Sequence, residues 1–129
     1  MRVIENFDSN NYETCTGYFH RVAIRAVILK DRKLALIKSE KYGEVKFPGG
    51  GKEDGESDID TLIRETMEEA GLTVIPESIK PYGVAKEKRK SRINPNDIFQ
   101  MESYYYLCDV LDQIGQTNLD DYEHEFGYQ

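Results

Sequence analysis

Apolar positions along the 129-residue chain come in short β-branched runs divided by turn formers, with one interval of helical period among them. Val3-Ile4 starts a short strand, and Asp8-Ser9-Asn10-Asn11 reads as a turn. Arg21 to Lys30 is β-branched and strand-like; Asp31-Arg32-Lys33 turns it and Leu34 to Lys38 returns, which predicts a hairpin. A loop at 39–44 leads to the extended Val45-Lys46-Phe47, stopped by Pro48, with Phe47 packing under the loop that follows. Between 57 and 70 the apolar residues Ile59, Leu62, Ile63, Met67 and Ala70 fall at helical spacing, so they predict a helix with these five on its core face. Ser57 suits its N-cap, Asp60 a capping-box partner and Gly71 its C-terminal stop. Leu72 to Ile75 is a further short strand ended by Pro76. Tyr82 to Lys86 and Phe99 to Leu111 predict a long antiparallel pair turned at Asn94-Pro95-Asn96-Asp97, with Tyr104, Tyr106, Cys108 and Val110 on one face of the second arm and Tyr105, Leu107 and Asp109 on the other. Several strands around one amphipathic helix predict an α/β class domain, and the length suits one domain spanning 1–129.

Composition changes the picture mainly by exclusion. No apolar run approaches membrane-spanning length. Met1-Arg2-Val3-Ile4-Glu5 lacks the apolar core of a signal peptide. Cys15 and Cys108 make no disulfide framework and suit reduced thiols in a cytoplasmic protein. His20 and His124 are too scattered for a zinc site. The net charge of −7 is local: residues 51–72 hold eight carboxylates against Lys52 and Arg64, a net −6, and the rest of the chain is close to neutral. That distribution points to a cation site and away from a polynucleotide-binding surface. Lys86-Glu87-Lys88-Arg89-Lys90-Ser91-Arg92 is a basic exception, read either as a solvated hairpin tip or as a phosphate-attracting rim.

The chemistry concentrates in Phe47-Pro48-Gly49-Gly50-Gly51-Lys52-Glu53-Asp54-Gly55-Glu56 and the helix after it. The three consecutive glycines allow a tight loop whose carbonyls can face a ligand. Glu65, Glu68 and Glu69 lie at i, i+3 and i+4, so their carboxylates gather on one side of about one turn. Clustered hard oxygen ligands suit Mg²⁺ or Mn²⁺ better than zinc. Gly50, Glu56 and the run Arg64-Glu65-Thr66-Met67-Glu68-Glu69-Ala70-Gly71-Leu72 together resemble the signature box of the Nudix hydrolases, with every fixed position filled and threonine at 66 where the family usually has a bulky aliphatic residue.

The resemblance implies a Nudix fold, a mixed β-sheet flanked by helices with the box helix beside the cleft. It implies a metal-dependent pyrophosphohydrolase acting on a small nucleoside diphosphate derivative. By matching positions, Glu65, Glu68 and Glu69 bind metal, helped by the Gly49 carbonyl and by Glu56, and Arg64 orients Glu65. The general base is Glu65 or Glu68, or a carboxylate from a later loop such as Glu123 or Glu125, with Glu102 a weaker candidate. Lys38 and Arg25 are candidate phosphate contacts or exposed strand residues. The positions where some subgroups carry a substrate-marking proline or tyrosine hold Glu87, Lys88 and Arg89, so the substrate is not fixed. Two other readings stand beside this one: a catalytically silent Nudix domain that binds a nucleotide as a regulator, and a non-enzymatic metal-binding protein. The chain also ends on Glu125-Phe126-Gly127-Tyr128-Gln129 without a polar taper. That ending leads to the expectation that a C-terminal strand and helix are absent, or that a partner, such as a second copy in a homodimer, covers an exposed sheet face.

Overall fold

The structure is a computed structural model that describes residues 1–39, 43–114 and 122–128, without side-chain description at 39, 112–114 and 122–128. Its centre is β2 (Gly17–Lys30), whose stretch Ala23–Ala26 is buried on both faces. Burial on both faces suits the middle strand of a sheet and the small and β-branched residues found there. β1 (Val3–Asp8) runs parallel to β7 (Lys80–Lys90), β7 antiparallel to β8 (Asp97–Cys108), and β8 parallel to β2. Beyond β2 come β3 (Lys33–Ser39) and then β10 (Tyr122–Tyr128), giving the order β1-β7-β8-β2-β3-β10 in a mixed sheet.

The β2–β3 hairpin is real but short-lived. Asp31 and Arg32 form its two-residue turn with φ of 53° and 63°, the left-handed pair that matches the twist of hairpin strands. Only Leu29↔Leu34 and Lys30↔Lys33 then pair. Past that point the strands part. β5 (Gly49–Gly50) takes the edge of β2 at Ile24 and Arg25, while β4 (Val45–Lys46) pairs with β3 at Ile37 and Lys38. This split opens the sheet where the glycine loop sits.

One helix, α1 (Asp58–Ala70), packs on one sheet face among the described residues. Its ends are as the sequence predicts. Ser57 and Asp60 form a reciprocal capping box, and Gly71 takes φ 67° and donates its N–H to the Met67 carbonyl. Its buried face differs from the predicted one. Thr61, Leu62, Thr66, Glu69 and Ala70 are buried, whereas Ile59 is exposed and Ile63 and Met67 are half-buried. The helix is rotated so that Glu69 reaches the glycine loop, and a polar contact thus overrides the apolar stripe. Its Leu62 packs in a core with Ile24, Ile28, Ile37 and Leu72, with Tyr104 and Tyr106 beside them. Each large aliphatic side chain buried in this way contributes about 1.5–3 kcal/mol.

Three further expectations are corrected. The strand predicted over 99–111 stops at Cys108, and after Asp109 the chain turns into β9 (Val110–Ile114), which pairs with β6 (Leu72–Val74) in a separate two-stranded sheet. Asp109 closes that junction, its carbonyl accepting from Ile75 N–H. The basic run is mostly strand, since β7 continues to Lys90 in register with β8. Most of its charges have neighbours: Lys86 lies near Glu102, Arg89 pairs with Glu87 and covers Phe99, and Lys88 sits over the Tyr12 ring. Finally, Tyr122–Tyr128 is a strand, so the late acidic residues are not on a loop.

No helix covers the second sheet face among the described residues. Phe7, Phe19, Leu29, Tyr82 and Leu107 are exposed. Phe47 lies on this face too, edge-on to Tyr105 with ring centroids 5.6 Å apart.

Candidate active site

The loop from Phe47 to Glu56 is held by two arginines. Arg64, in α1, takes its outer half. Its Nε and Nη2 donate to the two carboxylate oxygens of Glu56 at 2.6 and 2.8 Å. Nη2 also donates to the Gly51 carbonyl at 3.1 Å, and Nη1 donates to Glu65 Oε1 at 2.8 Å and Glu68 Oε2 at 3.3 Å. The guanidinium has five N–H groups, and these five bonds use all of them. The bidentate Arg64 pair, with help from the Glu53 N–H and the Thr61 hydroxyl, holds the Glu56 carboxyl down to about 2, and the same carboxylates raise the pKa of Arg64.

Arg25, on β2, takes the inner half. It is buried, and its Nη1 donates to the carbonyls of Phe47 at 3.2 Å and Gly49 at 3.0 Å. The expected phosphate contact or exposed strand residue is therefore a buried support for the loop. Burial lowers its pKa, opposed first by Glu69. The other side of the Gly49 peptide belongs to Glu69, whose Oε1 accepts the Gly49 N–H at 2.7 Å. Glu69 is 7 % exposed, and burial raises its pKa against the pull of that N–H, Lys46 and Arg25.

Gly49 is required sterically, and Gly50 leaves room for the Glu65 carboxyl group. Gly49 has φ 149°, and a Cβ there would fall 1.9 Å from the Ile24 carbonyl oxygen. A Cβ on Gly50 would lie 2.7–2.8 Å from the Glu65 carboxyl group. The helix start is fastened separately: Lys52 Nζ meets Asp58 Oδ1 at 2.5 Å, and the Tyr106 hydroxyl donates to Asp58 Oδ2 at 2.6 Å. Sequence reasoning missed Arg25's structural role, Tyr106 and Thr61. Arg25's place among small and β-branched residues of a central strand was the available signal for the first.

The predicted residues Arg64, Glu56, Glu65, Glu68, Glu69 and Gly49 thus come together. Their donor set of hard carboxylate oxygens fits a divalent cation. Among the described residues, however, no three His, Cys, Asp or Glu side chains converge as a formed metal cage, because Arg64 stands between Glu56, Glu65 and Glu68. The Gly49 carbonyl, expected at the metal, faces Arg25. Lys38 is an exposed position of β3, opposite Val45 on one side and Glu123 on the other. Glu125 pairs with Leu36 in the same register, and the side chains of Glu123 and Glu125 lie outside the described residues. Glu102 stands on β8, paired with His20.

A mixed sheet split around a glycine loop, with an arginine gathering the carboxylates of the following helix, defines a class of α/β domains built around an acidic loop-and-helix site. Comparison names the class: a family model described as NUDIX domain matches residues 19–127, and the chain belongs to that family. It is 30 % identical over 99 residues to Nudix hydrolase 3 of Caenorhabditis elegans, covering 75 % of this chain and 40 % of the worm protein. It is 28 % identical to an RNA pyrophosphohydrolase of Thioalkalivibrio sulfidiphilus, covering 82 % of this chain and 69 % of that one. Its fold is shared with a NUDIX hydrolase from Nitrosomonas europaea, with TM-score 0.67 and 20 % identity over 85 % of this chain and 73 % of the other. The chain spans between 39 % and 45 % of the length of the first curated relatives it matches.

Proposed function

We propose that this chain is a single hydrolase domain that cleaves a phosphoanhydride bond in a nucleoside diphosphate linked to another group, using Mg²⁺ or Mn²⁺. The observation that carries this reading is the Arg64 hub. Five donors from one guanidinium lock loop and helix together and gather Glu56, Glu65 and Glu68 at one end of the glycine loop. Related proteins named as an RNA pyrophosphohydrolase and, at 25 % identity, an ADP-ribose pyrophosphatase support the same bond class.

Glu65, Glu68 and Glu69 would hold the cation. When bound, it offsets the repulsion between an acidic helix and an anionic diphosphate and acidifies a water. The chain's own groups divide the remaining work. Arg64 fixes Glu65 through one oxygen and leaves the other for the site. Glu68 is the most open of the three helix carboxylates, at 40 % side-chain exposure, and suits contact with a cation or water at the mouth. Glu56 stays ionised well into acid and keeps Arg64 in place. Proton removal from water falls to Glu65 or Glu68, or to Glu125 from β10, whose backbone passes close to α1.

The reading of a silent, nucleotide-binding domain has one observation in its favour: Glu69 and the Gly49 carbonyl already serve the loop. Incubation with MgCl₂ and a panel of nucleoside triphosphates, nucleotide sugars, ADP-ribose and diadenosine polyphosphates, with phosphate assayed after a coupled phosphatase, tests the choice. Magnesium-dependent turnover of at least one class is expected, and Glu68→Gln should remove most of it with the fold intact. Turnover of none, with nucleotide binding retained, would establish the silent reading.

A further inference from the structure

The sheet continues past the helix, and there its helix-side face turns polar. Register sets Tyr104 beside Ile24 and Val84 under α1, and then Glu102 beside Val22 and Lys86. On the next inward-facing row stand His20, Gln100 and Lys88. Glu102 is the centre. His20 Nε2 lies 3.1 Å from Glu102 Oε1, and Lys86 Nζ lies 4.0 Å from Glu102 Oε2. The Tyr18 hydroxyl donates to Gln100 Oε1 in the following row, and the Tyr18 and His20 rings lie 6.2 Å apart. This shelf adjoins the loop. The carbonyl of Val22, Glu102's neighbour on β2, lies 3.8 Å from where a side chain on Gly51 would begin, and the Gly51 carbonyl is itself an Arg64 acceptor.

The shelf therefore begins beside the glycine loop, from which a group attached to the diphosphate would extend. Much of the hydrogen-bonding capacity of Glu102 and Lys86 is unspent. A carboxylate offers about four acceptor sites, of which His20 engages one. Lys86 at 4.0 Å pairs in charge but is too far for a hydrogen bond, so its donors are available beside the carboxylate. Acceptor, acceptor, donor in a row is the complement of an edge that presents two N–H groups next to a carbonyl. Among nucleobases the guanine edge has that order, N2–H, N1–H and O6.

We propose that Glu102 and Lys86 form the base subsite and read a guanine-type edge, with Glu102 accepting from N1–H and N2–H and Lys86 donating to O6. The proposal rests on the hydrolase reading for its placement of the diphosphate. The test is calorimetric titration, with MgCl₂ present, of the α,β-methylene diphosphates of guanosine, inosine and adenosine into wild type, Glu102→Gln and Lys86→Met. Inosine keeps O6 and N1–H and lacks the 2-amino group. Wild type should bind the guanosine compound roughly 10- to 100-fold tighter than the adenosine one, the range for a good bidentate base contact, with inosine between. Glu102→Gln keeps the shape but turns an N–H toward the base, so it should weaken guanosine binding far more than adenosine binding and erase the guanosine preference. Lys86→Met should weaken guanosine and inosine binding alike. Thermal unfolding of both variants checks that the fold stands. Equal binding of the three compounds, no binding of any, or an equal loss for all three in Glu102→Gln overturns the subsite. Hydrolysis of the corresponding natural nucleotides, run in parallel, separates the two claims. Turnover without base preference sinks the subsite and leaves the hydrolase, whereas base preference without turnover does the reverse.

Discussion

The two halves of the glycine loop are held by the same residue type under opposite conditions. Outside, Arg64 meets Glu56, Glu65 and Glu68 in a cluster that water still reaches. Inside, Arg25 meets the neutral carbonyls of half-buried Phe47 and buried Gly49, with Glu69 the charge that most offsets its burial. The pKa of Arg64 is raised by its carboxylates and that of Arg25 is lowered by burial. The contrast separates two jobs. Arg64 arranges charges that a ligand would use, and Arg25 satisfies backbone groups largely removed from water. Loss of the first should register in activity and loss of the second in stability.

The largest expected effect is on the inner half. Arg25→Ala leaves the buried Gly49 carbonyl unserved at about 1–3 kcal/mol and the half-buried Phe47 carbonyl at less, so denaturant unfolding in chelator should show a loss of at least about 1–3 kcal/mol. Arg25→Lys should recover only part of it, because an ammonium cannot reproduce the planar fork. A loss under 1 kcal/mol for Arg25→Ala would mean that the loop stands without this support. On the outer half, Arg64→Ala should lower kcat about 10- to 100-fold, as for other residues that orient ligand groups, with a smaller change in KM. A raised KM with unchanged kcat would show instead that Arg64 grips substrate.

Glu56 and Glu69 should divide in the same way against pH. The folded-state pKa of Glu56 is held down to about 2, so its contribution to stability is complete above the ordinary glutamate range and is lost as pH falls from there toward 2. Glu56→Gln should flatten that acid limb. Glu69 is shifted upward by burial, so its ionisation opposes folding and its contribution improves as pH falls through its raised pKa. Glu69→Gln should therefore change the pH slope in the opposite sense to Glu56→Gln. Urea melts across pH in chelator measure both, and matching slopes in the two variants would remove the distinction between the halves.

Legibility in the sequence followed the range of the interactions. The helix ends were readable because Ser57, Asp60 and Gly71 act within a few residues. The box residues were readable through their resemblance to a family signature, and helical spacing by itself brings Arg64 to Glu68. The rotation of α1 was not, since it depends on Glu69 reaching a loop twenty residues earlier. Nor was the break at Asp109, where the chain leaves β8 to pair with β6, because each flanking segment is equally strand-like alone. The basic run looked like a tip because five bases suggest solvent, whereas Glu102, Glu87 and the rings of Tyr12 and Phe99 accommodate its charges within the sheet. Arg25 was the least legible, because a charged residue in a strand reads as exposed unless something buried needs its donors.

The smallest effect divides two threonines on one helix face. Thr61 and Thr66 are both fully buried in α1. Thr61 belongs to the outer half of the loop: its hydroxyl contacts Glu56 Oε1 and the Ser57 carbonyl, each at 3.0 Å. Thr66 points into the core, and its Oγ1 has no hydrogen-bond partner. Valine matches threonine in shape and in helix propensity, so the substitution isolates the hydroxyl. Thr61→Val removes a partner from Glu56 and should cost about 0.5–1.5 kcal/mol, as one net hydrogen bond does. Thr66→Val removes a group that was desolvated without compensation and should add about 1 kcal/mol or more. For a domain of this length that is a rise in Tm of a few degrees, readable by thermal unfolding in chelator. The position is also the one at which the box departs from the family's bulky aliphatic residue, so a gain there is a stability that this sequence leaves unused. If Thr66→Val is instead less stable than wild type, its hydroxyl has a partner, and the core face of α1 is as fully satisfied as the site face.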